Sequence, residues 1–124
     1  MAIKDLGKTS TGMQANVAAL VSYAAGWITG LIFFLMEKDN KFVRFHALQS
    51  IIVFGALSVL GVILSILFQF FMMVHLYFMF QFLALISKLL WFAALILWII
   101  LMIKAYQGDY FKLPIAGDIA EKNS

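Results

Sequence analysis

No cysteine occurs anywhere in this chain. Disulfides, thiolate catalysis and Cys-ligated metal sites are thereby excluded. Proline occurs once, at Pro114 in the C-terminal tail, where it and the neighbouring glycines break the helix. Histidine occurs twice, as His46 and His75. The two are predicted at opposite faces of a bilayer, so they cannot share a metal. Charge is scarce as well, at 12% of 124 residues, and no acid falls inside a predicted span. The serines at 58, 65 and 87 have no His or acid partner at helical spacing. A membrane hydrolase needs a nucleophile with its base, or metal ligands that face each other. Neither set is visible, so the chain reads as a non-enzyme with no cofactor, no catalytic residue and no metal ligand.

What the chain has in place of charge is apolar bulk. It is 65% hydrophobic, with thirteen Phe and seven Met. A single domain of this length has too little interior to hide that much apolar surface, so the surplus must face lipid. Runs of about 18 or more apolar residues are long enough to cross the hydrocarbon core as helices. The net charge of +3 comes from Lys and Arg placed mostly at the ends of apolar runs, where topology signals belong. No basic-aromatic patch of a nucleic-acid binder is present.

One polar island, residues 37–50, interrupts the apolar runs. It holds three of the nine Lys and Arg residues and two of the six acids. The reading built around it is an all-α membrane domain covering 1–124. Three transmembrane helices are predicted, at about 16–36, 47–71 and 82–103. An amphipathic lead-in at 42–50 lies along the interface, and a polar tail covers 1–14. Within that tail Ser10 or Thr11 is a candidate cap for the first helix. The tail has no secretory pattern, and the run after it reads as a retained first span. The stretch 72–81 reads as an interfacial turn with aromatic anchors, with or without an interfacial helix. With three crossings, Lys38, Lys41, Arg44, Lys104, Lys112 and Lys122 share one side. The predicted orientation in the cell (inner) membrane therefore has the N-terminus outside. The island and the 104–124 tail are cytoplasmic.

Small residues recur on two helix faces. Ala18, Ser22, Gly26 and Gly30 form the first stripe, with Gly26–Gly30 as a GxxxG; Gly55, Ser58, Gly61 and Ser65 form the second. Such faces let backbones approach closely in lipid, and the second is expected to pack on the first. A candidate functional cluster comprises Arg44, His46, Gln49 and Ser50, with the intramembrane Lys88. His46, Gln49 and Ser50 share one helix face. The plain alternatives are that His46 and Gln49 satisfy helix ends or contact headgroups, and that the Lys88 stem reaches back to the interface.

The core Arg44-Phe45-His46-Ala47-Leu48-Gln49-Ser50 resembles the signature of a family of uncharacterised small prokaryotic membrane proteins. The segments Asn16-Val17-Ala18, Gly26 to Gly30, Lys104 to Gly108 and Leu113 to Asp118 are similar to that family too. The family is more distantly similar to the small multi-spanning subunit of the chloroplast inner-envelope protein translocon, which has four spans. It has no agreed activity, so the resemblance implies no catalytic residue. The expected role is a non-enzymatic helix-packing or membrane-complex subunit. Its partners would be membrane lipid and either its own copies or a larger complex. The alternative is a subunit of an oligomeric channel or transporter.

Overall fold

The residue that organises the fold locally is Asn40. Its side-chain oxygen accepts from the Val43 amide at 3.1 Å, a helix-start cap. From there one helix runs without a break for 33 residues. The computed structural model describes residues 6–124, and five helices are found among them. These are α1 Ala15–Ala24, α2 Trp27–Met36, α3 Lys41–Met73, α4 Tyr77–Tyr106 and α5 Ala116–Asn123.

The predicted first span is broken. At Gly26 the backbone turns to φ 63° and ψ −133°, a conformation that glycine adopts freely and other residues do not. The break leaves two helices of ten residues each, about 15 Å long at 1.5 Å per residue. Neither crosses a hydrocarbon core of about 30 Å. They fold back as a hairpin whose two ends meet, with the Ser10 amide donating to both carboxylate oxygens of Glu37 at 2.9 and 2.8 Å. Among the described residues only α3 and α4 are long and apolar enough to span a membrane, so two helices rather than three have the length of a crossing. Their bounds also differ from those read off the sequence. The lead-in 42–50 is the buried start of α3, not a separate interfacial segment. The stretch 72–81 is mostly helical, with a turn of three residues between α3 and α4.

Both long helices end in the same way. At the end of α3 the His75 amide donates to the Met72 carbonyl and the Leu76 amide to the Phe71 carbonyl, with His75 at φ 60°. At the end of α4 the Gly108 amide donates to Ala105 and the Asp109 amide to Lys104, with Gly108 at φ 82°. This paired pattern satisfies the last free carbonyls of a helix. It turns the chain sharply, so α3 and α4 run antiparallel and the C-terminal tail folds back on the start of α3.

At that end α1 and α4 are tied by Asn16, whose amide donates to the Tyr106 carbonyl at 3.1 Å, and by the Trp98 indole, which donates to the Tyr23 carbonyl at 2.7 Å. The described tail before α1 and the tail after α4 therefore lie at one end of the bundle. Three crossings would have separated them. Candidate caps Ser10 and Thr11 do not cap α1, which starts after Gln14 with no side-chain cap. The buried core is concentrated here: Ala18, Ala19, Tyr23, Phe42, Val43, Ala47, Leu101 and Ala105 pack together. Beyond it the α3–α4 hairpin stands bare, with Val59, Val62, Ile66, Phe78 and Leu89 exposed.

Candidate functional site

The start of α3 carries His46, Gln49 and Ser50, and all three side chains are fully buried. The His46 Nε2 lies 2.8 Å from the Asp109 carbonyl oxygen. A carbonyl only accepts, so Nε2 carries the proton and Nδ1 is the acceptor. Tyr23 on α1 supplies the matching donor, its hydroxyl donating to Nδ1 at 2.7 Å. The same hydroxyl oxygen accepts from the Gln49 amide at 3.0 Å. Gln49 also donates to the Phe111 carbonyl at 2.9 Å, and its own carbonyl accepts from the Leu113 amide at 3.0 Å. One network thus joins α1, α3 and the segment 109–113. Phe42, Phe45 and Tyr23 pack edgewise on the imidazole, with centroids 4.6, 4.9 and 5.4 Å away.

Ser50 serves a second joint. Its hydroxyl donates to the Gly26 carbonyl at 2.8 Å, at the break between α1 and α2. Close by, a Cβ added at Gly30 would lie 2.8 Å from the Ala47 carbonyl oxygen. The first small-residue stripe therefore packs within one chain, with Ala18 and Ser22 buried and Gly26 against Phe54.

The second stripe lies differently. Among the described residues no atom outside the local helix comes within 4 Å of a Cβ added at Gly55 or Gly61, so these positions do not pack on the first stripe. Ser58 returns its hydroxyl to the Phe54 carbonyl at 2.8 Å, and Ser65 is exposed.

Arg44 reaches back rather than outward. Its guanidinium donates to the Phe34 and Glu37 carbonyls at 3.1 and 2.7 Å, and stacks 4.2 Å from the Phe34 ring centroid. It thereby serves the carbonyls left free at the end of α2, where a cation also suits the helix dipole.

Beside it, Glu37 is buried and takes amide donors from Ser10, Asp39 and Asn40. Burial pushes its carboxyl up, but the donors outweigh that and hold it below the usual range. Asn40, besides capping α3, donates to the carbonyls of Leu6 and Lys8 at 2.8 and 3.1 Å. These bonds fasten the N-terminal tail.

Lys88 takes no part in this network. It lies in the first half of α4, away from the latch, exposed on a shallow apolar groove. The sequence missed Tyr23, Trp98, Glu37 and Asn40 as members of the site. Tyr23 had a signal, since a phenol inside an apolar run finds a partner for its hydroxyl when buried. The roles of Glu37 and Asn40 depend on a tail folding back, which no local pattern shows.

Among the described residues every buried side-chain nitrogen or oxygen has a hydrogen-bond partner, and no three His, Cys, Asp or Glu converge. The arrangement works as a latch: it leaves no buried donor open and holds three chain segments in register.

Comparison with known proteins follows this frame over nearly its whole length. The family model described as the magnetosome magnetite crystal formation protein family matches residues 8–120. A UPF0132 membrane protein of Methanocaldococcus jannaschii is 46% identical over 119 residues, covering 96% of each chain. A second from that organism is 40% identical over 111 residues, covering 90% of this chain and 71% of the relative. One from Archaeoglobus fulgidus is 41% identical over 110 residues, covering 89% and 95%. No solved structure matches. None of these relatives is named as a translocon subunit, and the distant similarity to the chloroplast translocon is not shown by them. A match that takes in the hairpin, the latch and both spans shows that this chain belongs to the family of uncharacterised UPF0132 membrane proteins, within the magnetosome magnetite crystal formation family model.

Proposed function

We propose that the protein is a non-enzymatic membrane subunit that packs against other membrane helices. One observation carries this reading. Among the described residues every buried polar side chain is partnered, most of them in the latch, while the distal part of the α3–α4 hairpin is largely exposed. In lipid, close packing and small residues drive helix association, and the α3 face with Gly55 and Gly61 is open to a partner backbone. The latch keeps the hairpin at a set angle to the membrane by anchoring its base. In this reading the role in the family's description, magnetite crystal formation, is served by a membrane scaffold rather than by chemistry on this chain. The second reading drawn from the sequence, a channel or transporter subunit, has no lumen-lining polar row among the described residues in its favour.

The orientation that goes with this proposal has both termini in the cytoplasm. Seven of the eight described Lys and Arg residues lie at the latch end, Lys88 being the eighth, and basic residues favour the cytoplasmic side.

The test is photocrosslinking in cells from a reactive side chain placed at Val62. Protein adducts, whether a second copy or another membrane protein, are expected. Adducts to lipid alone at Val62 and at Val59 would overturn the proposal.

A further inference from the structure

Lys88 stands in an apolar helix with no hydrogen bond or ion pair among the described residues. The five described acids, Glu37, Asp39, Asp109, Asp118 and Glu121, all lie at the opposite end of the bundle. A parallel second copy in the same membrane would carry its acids at that same end, so it cannot neutralise this charge. Side chains on a helix lean toward its N-terminus. For α4 that direction is away from the latch, so the Lys88 ammonium leans toward the far leaflet surface. Lys88 precedes Lys104 by 16 residues, about 24 Å of helix. Its stem carries the charge further, close to the far edge of a hydrocarbon core of about 30 Å.

The groove beside it runs the other way. Ser87, Lys88, Trp91, Phe92 and Leu95 line a shallow depression of about 430 Å³. Positions 88, 92 and 95 lie on one helix face, with Trp91 75% and Phe92 63% exposed. The cation is at the outer mouth, and the apolar floor leads inward toward the bilayer centre. We infer that this groove seats an anionic phospholipid of the leaflet opposite the latch. Its phosphate is held by the Lys88 ammonium, and one acyl chain lies along Trp91, Phe92 and Leu95. The order of charge and apolar surface matches the order of headgroup and chain in such a lipid.

Trp91 is placed to report the lipid. The full chain is reconstituted in phosphatidylcholine vesicles carrying the same small fraction of either brominated phosphatidylglycerol or brominated phosphatidylcholine, and tryptophan emission is read. The expected result is quenching that favours the brominated phosphatidylglycerol about fivefold, the local enrichment a single basic residue gives near anionic lipid. The preference should vanish in Lys88→Gln and persist in Lys88→Arg, and Trp91→Phe should remove most of the quenchable signal. Lys88 is exposed, so these variants keep the fold, which far-ultraviolet dichroism verifies. The inference is overturned by equal quenching from the two lipids, which would leave Lys88 for a carboxylate on another protein's helix. It is also overturned by an unchanged preference in Lys88→Gln. Loss of the preference on adding inorganic phosphate would overturn it too, since that result marks a site for free anions.

Discussion

Tyr23 carries two hydrogen bonds on one oxygen, donating to His46 and accepting from Gln49. Replacing it with Phe keeps the ring packing and strands both partners in a buried place. An orphaned buried polar group costs about 1–3 kcal/mol. Tyr23→Phe should therefore lower the thermal midpoint in detergent and speed trypsin cleavage after Lys112, because His46 and Gln49, whose own bonds hold the 109–113 segment, lose the hydroxyl that positions them. Glu37 makes a second, pH-dependent contribution at this scale. Its folded carboxyl titrates below the unfolded one, so its stabilisation is complete above the unfolded value of about 4.3. It is lost as the pH falls through the lower folded value. The hydrogen-exchange protection factor of the Ser10 amide should drop on acidification below about pH 4.3, and Glu37→Gln should flatten that dependence. His46, Gln49 and Ser50 were legible in the sequence as a polar face at the start of an apolar run. Their partners were not, since Tyr23, Asp109, Phe111 and Leu113 lie 23 or more residues away.

Among the elements, α2 and α3 cross at Gly30 because no side chain fits between that glycine and the Ala47 carbonyl. Gly30→Ala forces the helices apart, and overpacking of this kind costs about 1–3 kcal/mol. Gly61→Ala is the matched control, since its added methyl meets no other element among the described residues and alanine favours helix by about 1 kcal/mol over glycine. The first should lower the unfolding midpoint, and the second should leave it unchanged or raise it. Both stripes look alike in sequence, so spacing alone could not separate the packed one from the open one. Helix existence was legible from the apolar runs. The break after Ala24 was not, because one glycine within a GxxxG serves equally as a close-packing residue and as a hinge. What makes Gly26 a hinge is its positive φ together with the Ser50 hydroxyl held on its carbonyl.

For the whole molecule, an even number of crossings puts both tails on one side. The cysteine-free chain allows a clean test. Cysteines placed singly at Lys8 and Lys122 should resist an impermeant thiol reagent in intact cells. One at Met73, at the far turn, should be labelled. Labelling at Lys8 with protection at Lys122 would restore a three-span arrangement. Composition by itself determined that this is an all-helical membrane protein, because so much apolar surface has no place to go but lipid. The basic island by itself marked the end of the molecule that carries the charge. The number of crossings was decided only in three dimensions. An apolar run of 21 residues from 16 to 36 has the length of a span, and hydropathy does not register direction. Direction was settled by a glycine turn and by distant bonds, Ser10 to Glu37, Asn40 to Leu6 and Asn16 to Tyr106. They bring together residues up to 90 positions apart, beyond the reach of any local pattern.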